Sequence, residues 1–316
     1  MREISIPSRG TQLAVWHFAP VEGAGGGGKA PCIVLAQGLG GTRDQALDKF
    51  AARFAEAGFH ALVFDYRHWG QSGGEPRQLL SIRRQLQDWA SVIRFARCMA
   101  GVDPARIALW GTSLSGGHVL IAAARDGRIA AVSAQAPMVD GQAASIKMVE
   151  ECGPGVLMSL AAHGTRDAMG ALVGQRPHMV PIVGPPGTVA AMTTPDAEPG
   201  VYAMSPGPVR NEMAARFFLR IGFYQPRLHA RFVKCPLLLQ ICDKDLVVSI
   251  KAVEKVAKQA PNVEVRHYPL GHFDVYVDGG FEQVVKDQVA FFDRVLKPAR
   301  KTAQNMPWDE STIHRH

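Results

Sequence analysis

The chain has 316 residues, enough for one large α/β domain with an insertion or for two ordinary domains, and its 47% hydrophobic content argues against disorder. The formal net charge is +7, but the arginines are scattered through expected helices with no aromatic stacking motif beside them, which argues against nucleic-acid binding. Five cysteines at irregular spacing argue against a disulfide framework or a zinc site, and Met1 to Ile6 lacks the apolar run of a signal peptide.

In chain order, residues 3–20 read as two strands joined at Ser8-Arg9-Gly10, and the run Gly23 to Gly28 reads as a loop inside the domain. Pro31 to Ala36 is a buried-strand run. Thr42 with Gln45 has the spacing of a capping box, the helix after it carries Leu47, Phe50, Ala51 and Phe54 on one face, and Gly58 closes it. His60 to Tyr66 predicts another strand. From Ser81 to Met99 the residues Ile82, Leu86, Trp89, Ile93 and Ala96 keep helical spacing. Arg106 to Trp110 and Ile129 to Ala136 are further strands, as are Pro236 to Cys242 and Val263 to Tyr268. Cys235 and Cys242 then fall at opposite ends of one strand, roughly 23 Å apart at about 3.3 Å per residue, too far to pair. The last helix runs from about Phe281 to Leu296, with Val284, Val285, Val289 and Phe292 inward and Pro298 as its stop. This rhythm predicts an α/β fold, a mostly parallel central sheet with helices on both faces.

The rhythm stops between roughly Met138 and Val233. Helical stretches such as Asn211 to Tyr224 alternate there with loops such as Gly184-Pro185-Pro186-Gly187. The segment is too long for a connection within a compact domain. The expected organisation is a core of residues 1–137 and 234–297, a mainly helical lid over 138–233, and a C-terminal tail over 298–316. Substrate enclosure is the favoured role of the lid; a packing or dimerisation element is the alternative.

The chemistry centres on Leu109-Trp110-Gly111-Thr112-Ser113-Leu114-Ser115-Gly116-Gly117. An apolar strand ends in a small residue, a serine follows, and a small-residue-rich helix begins, which is the form of a nucleophile elbow. Ser113 is the candidate nucleophile, and a serine hydroxyl needs an adjacent base. Gly111 supplies the small residue two before it; Ser115 stands two after it, where glycine is usual. Ser115 is a rival nucleophile, but the strand ends too early for its register. His272, in Tyr268-Pro269-Leu270-Gly271-His272-Phe273, follows the last strand and can reach back as general base and then general acid. Two aspartates compete to orient it in the loop after Leu237–Cys242. The tail Asp-x-Val-Val before the Ser249 cap favours Asp245 and leaves Asp243 to hold the loop by hydrogen bonds.

In the order Ser113, Asp245, His272 the chain resembles the serine α/β-hydrolases. It is similar to their bacterial esterase and dienelactone-hydrolase-like branch with a helical lid. The resemblance covers residues 3–297 apart from the lid, and it names a superfamily rather than a substrate. It implies an oxyanion hole made by the backbone N–H groups of Leu114 and of Leu39, the latter in Gln37-Gly38-Leu39-Gly40-Gly41. The family usually has histidine where Gln37 stands. Asp65-Tyr66-Arg67-His68-Trp69-Gly70-Gln71-Ser72 resembles a superfamily segment in which Asp65 and Arg67 tie loops together and His68 or Trp69 is a candidate for the pocket rim. The implied function is cleavage of carboxylic esters through an acyl-enzyme intermediate, with no cofactor and no metal. The Met, Pro, Val and Phe content of the lid points to a small apolar ester-type substrate. A thioesterase, an acyltransferase or a prolyl-type peptidase would use the same residues; a ligand-binding scaffold relative is the non-enzyme alternative. The expected location is cytoplasmic, with neither nucleic acid nor membrane as partner, and a homo-oligomer is compatible with the sequence.

Overall fold

The computed structural model describes residues 1–21 and 28–297, so most of the Gly23–Gly28 loop, Pro298 and the 298–316 tail lie outside the described residues. Strands β1 (Arg2–Ser8) and β2 (Thr11–Phe18) form an antiparallel hairpin. The alternating part follows as β3 (Ala30–Ala36), α1 (Leu47–Glu56), β4 (His60–Phe64), α2 (Ile82–Cys98), β5 (Val102–Thr112), α3 (Leu114–Arg125) and β6 (Ala131–Gln135). Next come α4 (Gly141–Cys152), α5 (Pro154–Leu172), β7 (Met179–Val180), α6 (Ala197–Ala203) and β8 (Met213–Ala214), then three 3-10 turns at 215–219, 221–223 and 226–232. The chain returns to the sheet through β9 (Leu237–Cys242), α7 (Ile250–Gln259), β10 (Val263–Tyr268) and α8 (Asp278–Leu296).

Eight strands form one sheet in the order β1-β2-β4-β3-β5-β6-β9-β10. Only the pairs β1/β2 and β2/β4 are antiparallel. Every residue of β3, β4, β6 and β9 is buried, which explains their near-continuous apolar sequences: helices cover both faces of these strands. On one face, Phe50 of α1 meets Trp110 of β5 and Phe281 of α8, each at 4.8 Å between ring centroids. The parallel strands all deliver their C-terminal ends to one edge, where the loops bearing Leu39, Ser113, Asp245 and His272 begin.

Three local expectations are corrected. Thr42 and Gln45 do pair, with Gln45 Oε1 accepting the Thr42 N–H at 3.0 Å, but α1 starts only at Leu47. The pair closes the turn before the helix, and Ala46, at φ 63°, breaks the run between them. The strand entering Ser113 begins at Val102, because residues 103–105 are polar or exposed and hide its first half from the hydrophobic pattern. Residues 211–224 are not an α-helix. Their backbone donors go elsewhere: Ala214 N–H to Gln78 O, Ala215 N–H to His178 O and Arg216 N–H to Asp167, so no i to i−4 ladder forms. Among the described residues, no helix is long and apolar enough to cross a membrane.

Candidate active site

Ser113 occupies the turn between β5 and α3 with φ 53° and ψ −121°. A non-glycine residue in that region is strained by roughly 1–3 kcal/mol and is held by its surroundings. Its N–H donates to Gln135 O at 3.0 Å and its carbonyl accepts from Met138 N–H at 2.8 Å, which ties it to β6 and the loop after it. Close crossing explains the neighbouring glycines. A Cβ on Gly111 would sit 2.3 Å from Ser115 O, and one on Gly38 would sit 2.8 Å from Ser113 Cβ.

The three side chains picked from sequence meet at this edge. His272 Nε2 lies 3.1 Å from Ser113 Oγ, and His272 Nδ1 lies 2.6 Å from Asp245 Oδ2. His272 and Asp245 are buried, and Ser113 is 8% exposed, facing the cavity described below. Asp245 is fixed through its other oxygen, which accepts the N–H groups of Val247 (2.7 Å) and Val248 (2.9 Å). Those two donors are the physical content of the Asp-x-Val-Val tail. Asp243 points away and pairs with His267 at 2.7 Å on the exposed edge. It ties the start of the loop to β10 by that one bond, and Asp245 braces the rest of its own loop.

Ser115, the rival serine, is turned from His272. Trp89 Nε1–H donates to the Tyr66 hydroxyl (2.7 Å), Tyr66 to Ser115 Oγ (2.5 Å), and Ser115 to Gln37 O. Gln37 is held at its amide too: Nε2 donates to Gln45 O and Oε1 accepts from Gly38 N–H, both at 2.8 Å. The unusual serine and the unusual glutamine thus serve one purpose, fixing the Gln37–Gly41 loop over the elbow. Among the described residues, the backbone N–H groups of Leu39 and Leu114 meet no protein acceptor, and both residues line the same cavity as Ser113.

That cavity measures about 410 Å³. Ser113, Leu39 and Leu114 line it from the core; most of its wall comes from the 138–233 segment, including Met148, Leu157, Leu160, Met192 and Phe218. The lining is mainly apolar, with Lys147 and Glu151 as its charged members. Lys147 Nζ donates to the carbonyl oxygens of Asp245 (2.8 Å) and Val248 (3.2 Å), so α4 grips the loop that carries Asp245. Helix α6 packs against the histidine loop: a Cβ on Gly200 would lie 2.3 Å from Phe273, and Phe273 meets His272 edge-on. Sequence reasoning missed Lys147, because a lysine on an amphipathic helix carries no signal of what its amine reaches.

Behind the elbow, His118 is fully buried between the Tyr224 hydroxyl (Nδ1, 2.6 Å) and Gln85 Oε1 (Nε2, 2.9 Å). Burial pulls its pKa down to about 3, so it stays neutral. Asp65 and Arg67 are structural ties, though with other partners than each other. Asp65 accepts from the N–H groups of Arg43 (2.7 Å) and Gln71 (2.9 Å), while burial raises its pKa to about 6. Arg67 forks onto buried Asp88 at 2.6 and 2.8 Å. His68 and Trp69 are not at the pocket rim: both are buried, bound to Arg84 and to Leu79 O respectively, outside the cavity lining. Among the described residues, no cluster of three His, Cys, Asp or Glu could hold a metal ion.

Comparison with known proteins adds to this geometry. The family model of the X-Pro dipeptidyl-peptidases (S15 family) matches residues 9–150. The chain is 44% identical over 268 residues to the quorum-quenching protein AidA of Acinetobacter baumannii, covering 84% of this chain and 87% of that one. It is 26% identical over 285 residues to the thiohydrolase aneE of Aspergillus aculeatus, covering 86% and 87%. Among solved structures it is similar in fold to the α/β hydrolase GrgF from Penicillium, with a TM-score of 0.78 at 23% identity over 93% of this chain and 98% of that one.

Proposed function

Because the chain belongs to the serine α/β-hydrolase superfamily, we propose that it hydrolyses carboxylic esters through an acyl-enzyme on Ser113. The observation that carries this reading is the hydrogen-bonded relay from Ser113 Oγ through His272 to Asp245. Ser113 Oγ attacks the ester carbonyl while His272 Nε2 takes its proton. Asp245 holds the other ring nitrogen as the donor and stabilises the imidazolium that forms. The N–H groups of Leu39 and Leu114 receive the oxyanion, the second aided by its place at the N-terminus of α3. Collapse expels the alcohol, protonated by His272. Water, deprotonated by the same nitrogen, then attacks the acyl-serine and releases the acid. No step calls for a cofactor.

In this reading residues 138–233 act as a lid on a core of 1–137 and 234–297, and the mainly apolar cavity takes the acyl group. The thiohydrolase relative favours thioesters as a second substrate class, since a thiolate leaves from the same intermediate. The quorum-quenching relative directs the search to quorum-sensing signals that carry an ester bond. The test is a panel of p-nitrophenyl esters of graded acyl length, matching thioesters and aminoacyl-proline anilides. Ester or thioester turnover that disappears in Ser113→Ala supports the proposal. Turnover of the anilides alone would replace it with a prolyl-type peptidase, and no turnover of any class would leave the binding-scaffold reading.

A further inference from the structure

A second cavity lies where α2 and α3 face the 3-10 turns at 215–232. It is an open groove of about 1390 Å³. The arginines that read as scattered along the sequence are gathered here by the fold: eight line the groove against a single carboxylate, Asp126, which Arg97 already holds at 2.6 Å. Among the described residues Arg9, Arg83, Arg94, Arg125 and Arg220 have no carboxylate within 4.0 Å. Arg83 and Arg94 lie on one exposed stripe of α2, eleven residues and about 16 Å apart along the axis. Burial and the neighbouring Arg125 guanidinium hold the His229 imidazole below its usual range, in keeping with a positive local potential.

The same groove exposes apolar surface. Phe223 is 85% exposed, Leu228 54% and Leu219 38%, all on the 3-10 turns. A solvent-exposed apolar patch rimmed by unpaired charge of one sign marks an interaction surface. We propose that this groove docks an acidic amphipathic segment of a protein partner, whose carboxylates meet the arginines and whose apolar face covers Leu219, Phe223 and Leu228. A second copy of this chain is a poor occupant, because its formal charge is +7. A nucleic acid would satisfy the arginines but would set phosphates against two leucines. Phe217, Leu219 and Phe223 line both this groove and the Ser113 cavity, so an occupant would rest on the wall of the site.

The test is fluorescence anisotropy with the full chain and a labelled helical peptide about 16 residues long, glutamate on one face and leucine on the other. The comparison ligands are a scrambled peptide of the same composition, its lysine-for-glutamate counterpart, and single-stranded DNA of similar length. The amphipathic acidic peptide should bind best, weakened about tenfold or more by Arg83→Glu with Arg94→Glu and about fivefold by Phe223→Ser. Arg2→Glu with Arg176→Glu makes the same charge change elsewhere and should alter binding less than about twofold. Circular dichroism checks that each variant is folded. Equal binding of the scrambled peptide, equal or tighter binding of DNA, insensitivity to the groove substitutions, or no binding of the acidic peptide would each overturn the proposal.

Discussion

Asp245→Asn probes the relay at the point where geometry makes a one-sided demand. Asp245 Oδ1 accepts two backbone N–H groups, from Val247 and Val248, and an asparagine keeps them only by placing its own oxygen there. Its amide NH2 then faces His272 Nδ1, at the 2.6 Å now spanned by the carboxylate. A donor in that place makes Nδ1 the acceptor and puts the ring proton on Nε2. Nε2 faces Ser113 Oγ at 3.1 Å and can no longer take its proton. A wrong tautomer of this kind costs about 10⁴-fold in kcat, equivalent to about 5.4 kcal/mol of transition-state stabilisation. Asp243→Asn supplies the internal contrast. Its pair with His267 is about half exposed on both sides, and such pairs contribute about 1 kcal/mol or less to stability. Its kcat should stay within about twofold of the parent. The assay is kcat and KM on one p-nitrophenyl ester, with circular dichroism to confirm both folds. Equal losses in the two variants, or a larger loss at position 243, would refute the assignment of the acid.

Ser115→Ala removes the hydroxyl that holds Gln37 O, so the Leu39 N–H loses its support; kcat should fall about 10- to 100-fold while folding is kept, and unchanged kcat would show that the loop stands without it. Arg67→Met strands buried Asp88, which should cost about 3–5 kcal/mol and lower Tm by about 5–8 °C in differential scanning calorimetry. His118 is neutral when folded, with a pKa of about 3, and takes up a proton near pH 6.5 when unfolded. Its contribution to stability is therefore whole above pH 6.5 and is lost as pH falls from there toward 3, by about 1.4 kcal/mol per pH unit. Urea unfolding of parent and His118→Gln at pH 7, 6 and 5 should show slopes that differ by that amount, because His17, His68 and Asp65 contribute equally to both proteins; identical slopes would place no pH dependence on His118.

The parallel part of the fold was legible because its strands are buried on both faces and read as unbroken apolar runs, as in Cys32 to Ala36 and Leu237 to Cys242. The sharp strand-to-helix turn at Ser113 was legible because crossing a strand and a helix this closely demands small residues, at Gly111 above all. His272 and Asp245 could be named because each stands at a fixed place after a strand. The internal course of the 138–233 segment beyond its first helices was hidden for the opposite reason. Its backbone is satisfied by distant partners, such as Asp167 for His178 and Arg216, and no local period records such contacts. Lys147 and Tyr224 belong to the same class: each reaches across to the core, one to the Asp245 loop and one to His118 and Leu114 O. His68 and Trp69 misled because aromatic residues after a strand end suit a pocket rim as well as they suit a buried brace.

In the proposed reaction Ser113 becomes covalently acylated. Brief incubation with a slowly hydrolysed ester, an acid quench and peptide mass mapping tests it directly. An acyl mass is expected on the peptide containing Ser113, absent from Ser113→Ala and slow to appear in Asp245→Asn. Turnover of the ester with no adduct at Ser113, or an adduct that survives in Ser113→Ala, would contradict it.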